Sequence, residues 1–419
     1  MTTTPKAFWV AAGVMAASTL GACTPEPVNL GRITLNLWQP VDEGTLLSEA
    51  SESTLRVDVD GDVVERSFVD GVVPFFDDHE LNRLQGGDVS IDIWAEHDVG
   101  ANARARVGPF AFEGDTEVAG VLARERSVQR LSDDIGPHDG VAACSDGVDV
   151  FFAGGEAAGA VSDEVRILDA NVEGVTTRSG GSARRRDGDC VVWDDRTFVV
   201  GGCTASGIDV DSIEQVASNS PMADVAIGGA GCGTRALVID DQLVVSTGEE
   251  VVLFDASFTE VRRWSLTQTR YNAQLSSNGE VLFVAGGVDD LANATPLSTT
   301  SLVTLGATSA PMERNGRWYA TPDGSVEVDD DGSVGTSREF SSGDVDALLP
   351  LTSDDRWVAL SADGSALLLS TTASGAGTAR TLPLPQPRPG GRLLQGPHHE
   401  VYIVGGGEPG LDVFVPDGD

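Results

Sequence analysis

Apolar and polar positions alternate along the early part of the chain. Ile33, Leu35 and Leu37 are spaced by polar residues, as are Leu55, Val57 and Val59, and then Val89, Ile91 and Ile93; Val107, Phe110 and Phe112 follow less regularly. A period of two over short runs, broken by Asp-Gly and Gly-Gly, predicts half-buried β-strands. No stretch of this region holds a helical period for ten residues. Asp58, Asp60 and Asp62 are spaced like calcium ligands. Their glycine is misplaced for an EF-hand loop and no downstream Glu completes the set, so a hairpin turn at Asp60-Gly61 is the better reading.

From residue 117 onwards the chain repeats itself. An apolar run, a polar turn, a second apolar run and then small residues recur, with turns expected at Asp146-Gly147, Asp194-Asp195, Asp240-Asp241, Asn278-Gly279, Asn315-Gly316, Asp354-Asp355 and His398-His399. The mean spacing from Asp146 to His398 is 42 residues. Asn-Gly and Asp-Gly suit two-residue hairpins because they tolerate positive φ. The runs after the turns include VDVFFAGG, RTFVVGG, EVLFVAGG and EVYIVGGG, and several end in Gly-Gly. Third strands are expected at EVRILDA, EVVLFDAS and LDVFVPDG, and a fourth at VRRWSLTQTR.

Four short antiparallel strands per unit of about 40 residues are a propeller-blade signature. The runs resemble kelch repeats, most closely over Val261 to Gly287. Together with the strands before them they imply an all-β chain: an N-terminal Ig-like β-sandwich over residues 29–116, then a seven-bladed kelch-like β-propeller over 117–419. The sandwich lacks the Cys…Trp…Cys spacing of true immunoglobulin domains. A solenoid of the same hairpins is the alternative to the propeller. The chain ends after a third strand, so the segment Ser127 to Leu131 is expected to supply the missing fourth strand of the last unit and close the ring.

The beginning of the chain reads differently. Lys6 precedes an apolar stretch from Ala7 to Leu20, which is too short to span a bilayer and matches a secretory leader. Leu20-Gly21-Ala22-Cys23 resembles the lipobox of bacterial lipoproteins. The resemblance implies a signal peptide over residues 1–22, lipidation at Cys23 and a linker over 23–28. Thr24 in the next position implies the outer membrane by familiar sorting rules.

Charge and composition narrow the function. The chain carries 27 basic and 65 acidic residues, a net charge of −38, and Lys6 is its single lysine. Such a surface repels phosphates, so nucleic acid is excluded as a partner. Schiff-base and P-loop lysine chemistry is excluded beyond the leader.

Four cysteines remain after Cys23: Cys144, Cys190, Cys203 and Cys232. An even number in an exported protein suggests disulfides. On the propeller expectation all four fall in one rim sector. Cys144–Cys190 with Cys203–Cys232 is the preferred pairing, and Cys190–Cys203 is the close rival. The absence of a C-x-x-C motif or a neighbouring His argues against a metal site.

No catalytic constellation emerges. The five histidines, His79, His97, His138, His398 and His399, show no ligand spacing apart from the adjacent pair. The cluster Arg184-Arg185-Arg186 could bind an anion, but a solvated loop balancing acidic neighbours is the plainer reading. The expectation is a non-enzymatic, membrane-anchored surface lipoprotein without metal or cofactor, whose propeller binds a protein or glycan. The alternative is an extracytoplasmic enzyme acting on carbohydrate in the propeller mouth. Converging Asp, Glu, His or Arg with shifted pKa would favour the enzyme.

Overall fold

The computed structural model describes residues 33–41, 46–69, 88–111, 116–146, 149–169, 175–179, 184–216, 225–239, 241–277, 281–285, 288–289, 291, 300–304, 318–321, 324–328, 334–339, 345–350, 357–361, 363–369, 380–396 and 398–416. The leader, Cys23 and the linker lie outside these residues, as do His79 and the turns at Asn278-Gly279, Asn315-Gly316 and Asp354-Asp355.

The alternating runs near the start become strands Ile33–Trp38, Glu52–Val59, Asp62–Val69, Asp88–Glu96 and Ala103–Ala111. The Asp60-Gly61 turn forms as expected: both residues have positive φ, at 51° and 92°, and the Gly61 amide donates to Asp58 Oδ1 at 2.9 Å. Four of these strands, joined by Ala123–Arg124, make a five-stranded sheet. The fifth, Ile33–Trp38, pairs in parallel with Thr116–Val121. One core, including Leu35, Leu46, Val57, Ile91, Ala105 and Leu122, joins the two layers. The parallel pair corrects the expected Ig-like sandwich, which would be antiparallel throughout.

The repeats fold into seven further sheets of three or four strands among the described residues, with one small two-stranded pair beside them. In chain order they begin with strands Ala142–Ser145, Asp189–Trp193, Arg235–Ile239, Gln274–Ser277, Trp318–Thr321, Val345–Pro350 and Gly391–Gln395. Each unit pairs its successive apolar runs as antiparallel hairpins, so hydrogen bonding stops at the third or fourth strand and, apart from the last sheet, stays local. The sheets are discrete, and strand pairing closes none of them into a barrel or propeller. The expected seven-bladed kelch-like β-propeller is therefore corrected to an all-β fold of separate antiparallel sheets. The fifth unit also shifts register. The run RWYATPDG, which follows the turn expected at Asn315-Gly316 and so reads as a second strand, supplies Trp318–Thr321, the first strand of its sheet among the described residues, which pairs with Gly324–Val328.

Side-chain packing, not hydrogen bonding, joins one sheet to the next. Second strands such as Gln242–Ser246 and Val401–Gly405 are buried on both faces, which is why they read as continuous apolar runs rather than alternating ones. Their residues divide between two cores. Val245 packs with Trp193, Phe198 and Phe254, while Val244 packs with Leu253, Leu282 and Val284. First strands lie beside one another in chain order, and Gly391–Gln395 lies beside Ala142–Ser145. Two of them are more open than the second strands they pair with: Arg235–Ile239 and Gly391–Gln395 are mostly half-buried.

The strand expected from Ser127 to Leu131 is present as Val128–Ser132. It pairs antiparallel with Leu411–Phe414 and makes the fourth strand of the last sheet. Its two faces enter different cores. Val128 joins Leu360, Ile403 and Phe414, and Leu131 joins Phe152, Val404 and Val413.

Candidate functional site

Three first strands carry a charged residue at or near their start, where each apolar run begins. Asp189 opens Asp189–Trp193, Arg235 opens Arg235–Ile239, and Arg392 is second in Gly391–Gln395. The fold brings them together although Asp189 and Arg392 are 203 residues apart. Arg392 Nη1 donates to Asp189 Oδ1 at 2.8 Å and Arg392 Nη2 to the Gly188 carbonyl at 2.9 Å. The other carboxylate oxygen of Asp189 accepts the Ala236 amide at 2.8 Å. Asp189 is thus fully used.

Arg235 is differently placed. Its Nη1 donates to the Thr234 carbonyl at 2.9 Å and its Nη2 to Asn272 Oδ1 at 2.7 Å. Among the described residues no carboxylate lies within ion-pair distance of it. Burial, and then repulsion from Arg392, lower the Arg235 pKa to about 10, with Asp189 and Asp187 pulling the other way. Two guanidiniums therefore share one neighbourhood with a single directly bonded carboxylate. Half-buried Val192, Leu237 and Leu393 lie on the same three strands.

The sequence cluster Arg184-Arg185-Arg186 does not act as a unit. Arg184 is exposed and 3.9 Å from Asp163. Arg185 is buried, bonded to Glu214 and, at 2.9 Å, to the Gly201 carbonyl. Arg186 is half-buried and 3.0 Å from Glu156. The reading of these three as a solvated loop is corrected by Arg185. The same device recurs in the last sheet, where buried Arg388 holds Asp412 at 2.5 Å and the Gly405 carbonyl at 2.9 Å. This explains the glycines that end second strands: a Cβ on Gly154 would sit 2.2 Å from the Arg185 carbonyl oxygen, and one on Gly406 would sit 2.5 Å from the Arg388 backbone.

The cysteines form Cys144–Cys190 and Cys203–Cys232. The first bridge ties the opening strands of two neighbouring sheets, and the second fastens the end of one sheet to the turn preceding Arg235. The two sulfurs of the second bridge and a carboxylate oxygen of Asp187 lie within 4.8 Å of one another. Asp187 is two residues from Asp189, and its carbonyl accepts the Gly233 amide at 3.0 Å.

The adjacent histidines occupy a turn against the N-terminal unit, with the Gly108 amide donating to His398 Nδ1 at 3.2 Å. Burial, and then the neighbouring Arg106, lower the His399 pKa below its ordinary value. Tyr402 donates to Glu400 at 2.8 Å, and burial raises its phenol pKa well above the usual range. Neither group joins the arginine pair.

No family model matches the chain. No curated protein sequence matches it either. The kelch-repeat assignment is corrected by the sheet topology, in which the repeats form separate antiparallel sheets. The outer-membrane assignment rested on Thr24, outside the described residues, and has no structural support. Among solved structures, the chain is similar to one described as a streptogramin B lyase structure, at 9% identity and a TM-score of 0.47, covering 68% of this chain and 97% of that one.

Sequence reasoning missed Arg235 and Arg392 as a pair. The available signal was a charged residue at the start of several otherwise apolar first strands.

Proposed function

We propose that this protein acts outside the cytoplasm on an acidic carbohydrate, whose carboxylate is taken between Arg235 and Arg392. The observation behind this reading is the pair itself: two guanidiniums from different sheets, one of them without a bonded carboxylate among the described residues. Guanidiniums bind carboxylates through two parallel hydrogen bonds, and desolvation strengthens each bond. Convergence of Arg235, whose pKa is lowered, with Arg392 and Asp189 favours an enzyme acting on carbohydrate over a passive display scaffold. Export rests on the leader and on two disulfides, and anchorage on lipidation of Cys23.

Calorimetric titration of the lipid-free protein with uronic acid oligomers tests the site, and a turnover screen against the same oligomers and neutral glycosides tests the enzyme. Arg235→Gln should weaken uronate binding by about tenfold or more, because a charge-assisted hydrogen bond is lost. The net charge of −38 repels anions at long range. Moderate salt should therefore speed association rather than slow it. Absence of both binding and turnover would refute the proposal. Binding without turnover would return the protein to the scaffold reading.

A further inference from the structure

We infer that the Cys203–Cys232 bridge is one state of a thiol-controlled metal site. When a dithiol or phosphine reductant opens the bridge, Cys203, Cys232 and Asp187 take a borderline-soft divalent cation of the zinc class. The two sulfurs and the carboxylate oxygen already lie within 4.8 Å of one another. Two thiolates and a carboxylate suit zinc, with a fourth position left for water or a further oxygen donor. The exposed Asp209 is a candidate for that role, since its Oδ1 accepts the Cys232 amide at 3.4 Å.

The donors are held by backbone as well as by the bridge. Arg186 and Cys203 exchange both amide–carbonyl hydrogen bonds, at 2.9 and 2.8 Å. The Asp187 carbonyl accepts the Gly233 amide, which fixes the turn carrying Cys232. Opening the sulfur–sulfur bond therefore leaves the three side chains on positioned backbone. Cys203 is wholly buried, while Cys232 and Asp187 are half-buried, so a cation has access from one side. The balance is simple. A dithiol supplies two electrons and two protons and becomes a disulfide, whereas a phosphine supplies two electrons and becomes its oxide, with water giving the oxygen and the two protons; either way two thiols result, and the cation displaces their protons on binding. Oxidation to the disulfide removes two of the three ligands, so metal and bridge exclude one another. The other bridge, Cys144–Cys190, has no comparable carboxylate among the described residues.

Cobalt and zinc test this without reference to any activity. Protein reduced by a phosphine and titrated with Co2+ should bind one equivalent and show the thiolate-to-cobalt absorption of a two-sulfur site. Cys203→Ser should abolish that absorption, and Asp187→Asn should weaken binding by about tenfold or more. Oxidised protein should show none of it. Zn2+ should raise the Tm of the reduced wild type and leave that of reduced Cys203→Ser unchanged. The inference fails if reduced wild type binds no Co2+, if Asp187→Asn binds as tightly, or if Zn2+ neither stabilises nor refolds the reduced chain. Uronate binding by the oxidised wild type, measured alongside, tests the arginine pair independently of this result.

Discussion

Asp412 shows how single charges are placed in this molecule. It is fully buried between two arginines, with Arg130 Nε and Arg388 Nε each 2.5 Å from a different carboxylate oxygen. Arg388 is itself fully buried and otherwise bonds only backbone carbonyls, those of Gly405, Glu408 and Gly410. Asp412→Asn would strand that guanidinium without a counter-charge. A loss of about 3–5 kcal/mol is expected, measured by urea unfolding. His399 offers a pH test. Its folded pKa lies below its unfolded value of about 6.5, so its contribution to stability is complete above that pH and is lost as the pH falls through the folded value. His399→Asn tolerates the positive φ of 71° at this turn and removes the titration. Stability measured between about pH 6.5 and 5 should fall less steeply in the variant than in the wild type.

At the scale of the element, the strand Val128–Ser132 carries most consequence for its length. It comes from the segment before the repeats and completes the sheet that ends the chain. Leu131 is 6% exposed and packs with Val404 and Val413. Leu131→Ala should cost about 2–5 kcal/mol, as large-to-small changes in cores do. A mere connecting segment would tolerate the change within about 0.5 kcal/mol. Equilibrium unfolding distinguishes the two. The strand was legible because the last repeat lacks a fourth run and an unassigned apolar run precedes the first. The fifth unit was misread because Asn315-Gly316, outside the described residues, has the composition of a hairpin turn, whereas among the described residues Trp318–Thr321 pairs with the strand that follows it.

Across the whole molecule, the sheets are joined by side chains and by two covalent bridges. Cys144–Cys190 closes 46 residues and Cys203–Cys232 closes 29. Each should contribute roughly 3–4 kcal/mol by restricting the unfolded chain. Reduction in the presence of a chelator should therefore lower the denaturant midpoint substantially, and Cys144→Ser/Cys190→Ser should reproduce about half of the loss. Equal midpoints for reduced and oxidised protein would contradict this. The bridges join the first sheet to the second and the second to the third, and so fasten the region that holds Asp187, Asp189 and Arg235.

Local patterning was enough to determine strands, hairpins and pairing partners in most units, because antiparallel pairing of neighbours depends on nearby turn chemistry and the two-residue period. Asp60-Gly61 and Asp194-Asp195 have the positive φ that such turns require. Cysteine number and repeat phase were enough to favour the observed bridges over their rival. The repeat did not decide how the sheets are arranged, because packing between sheets depends on side-chain volume and not on period. It also gave no sign that Arg185, Arg388 and Asp412 would be buried: charge predicts exposure unless a partner is present, and the partners lie in other strands. The meeting of Asp189, Arg235 and Arg392 was decided by tertiary structure alone, since it requires three strands from distant parts of the chain to present their starting residues in one place.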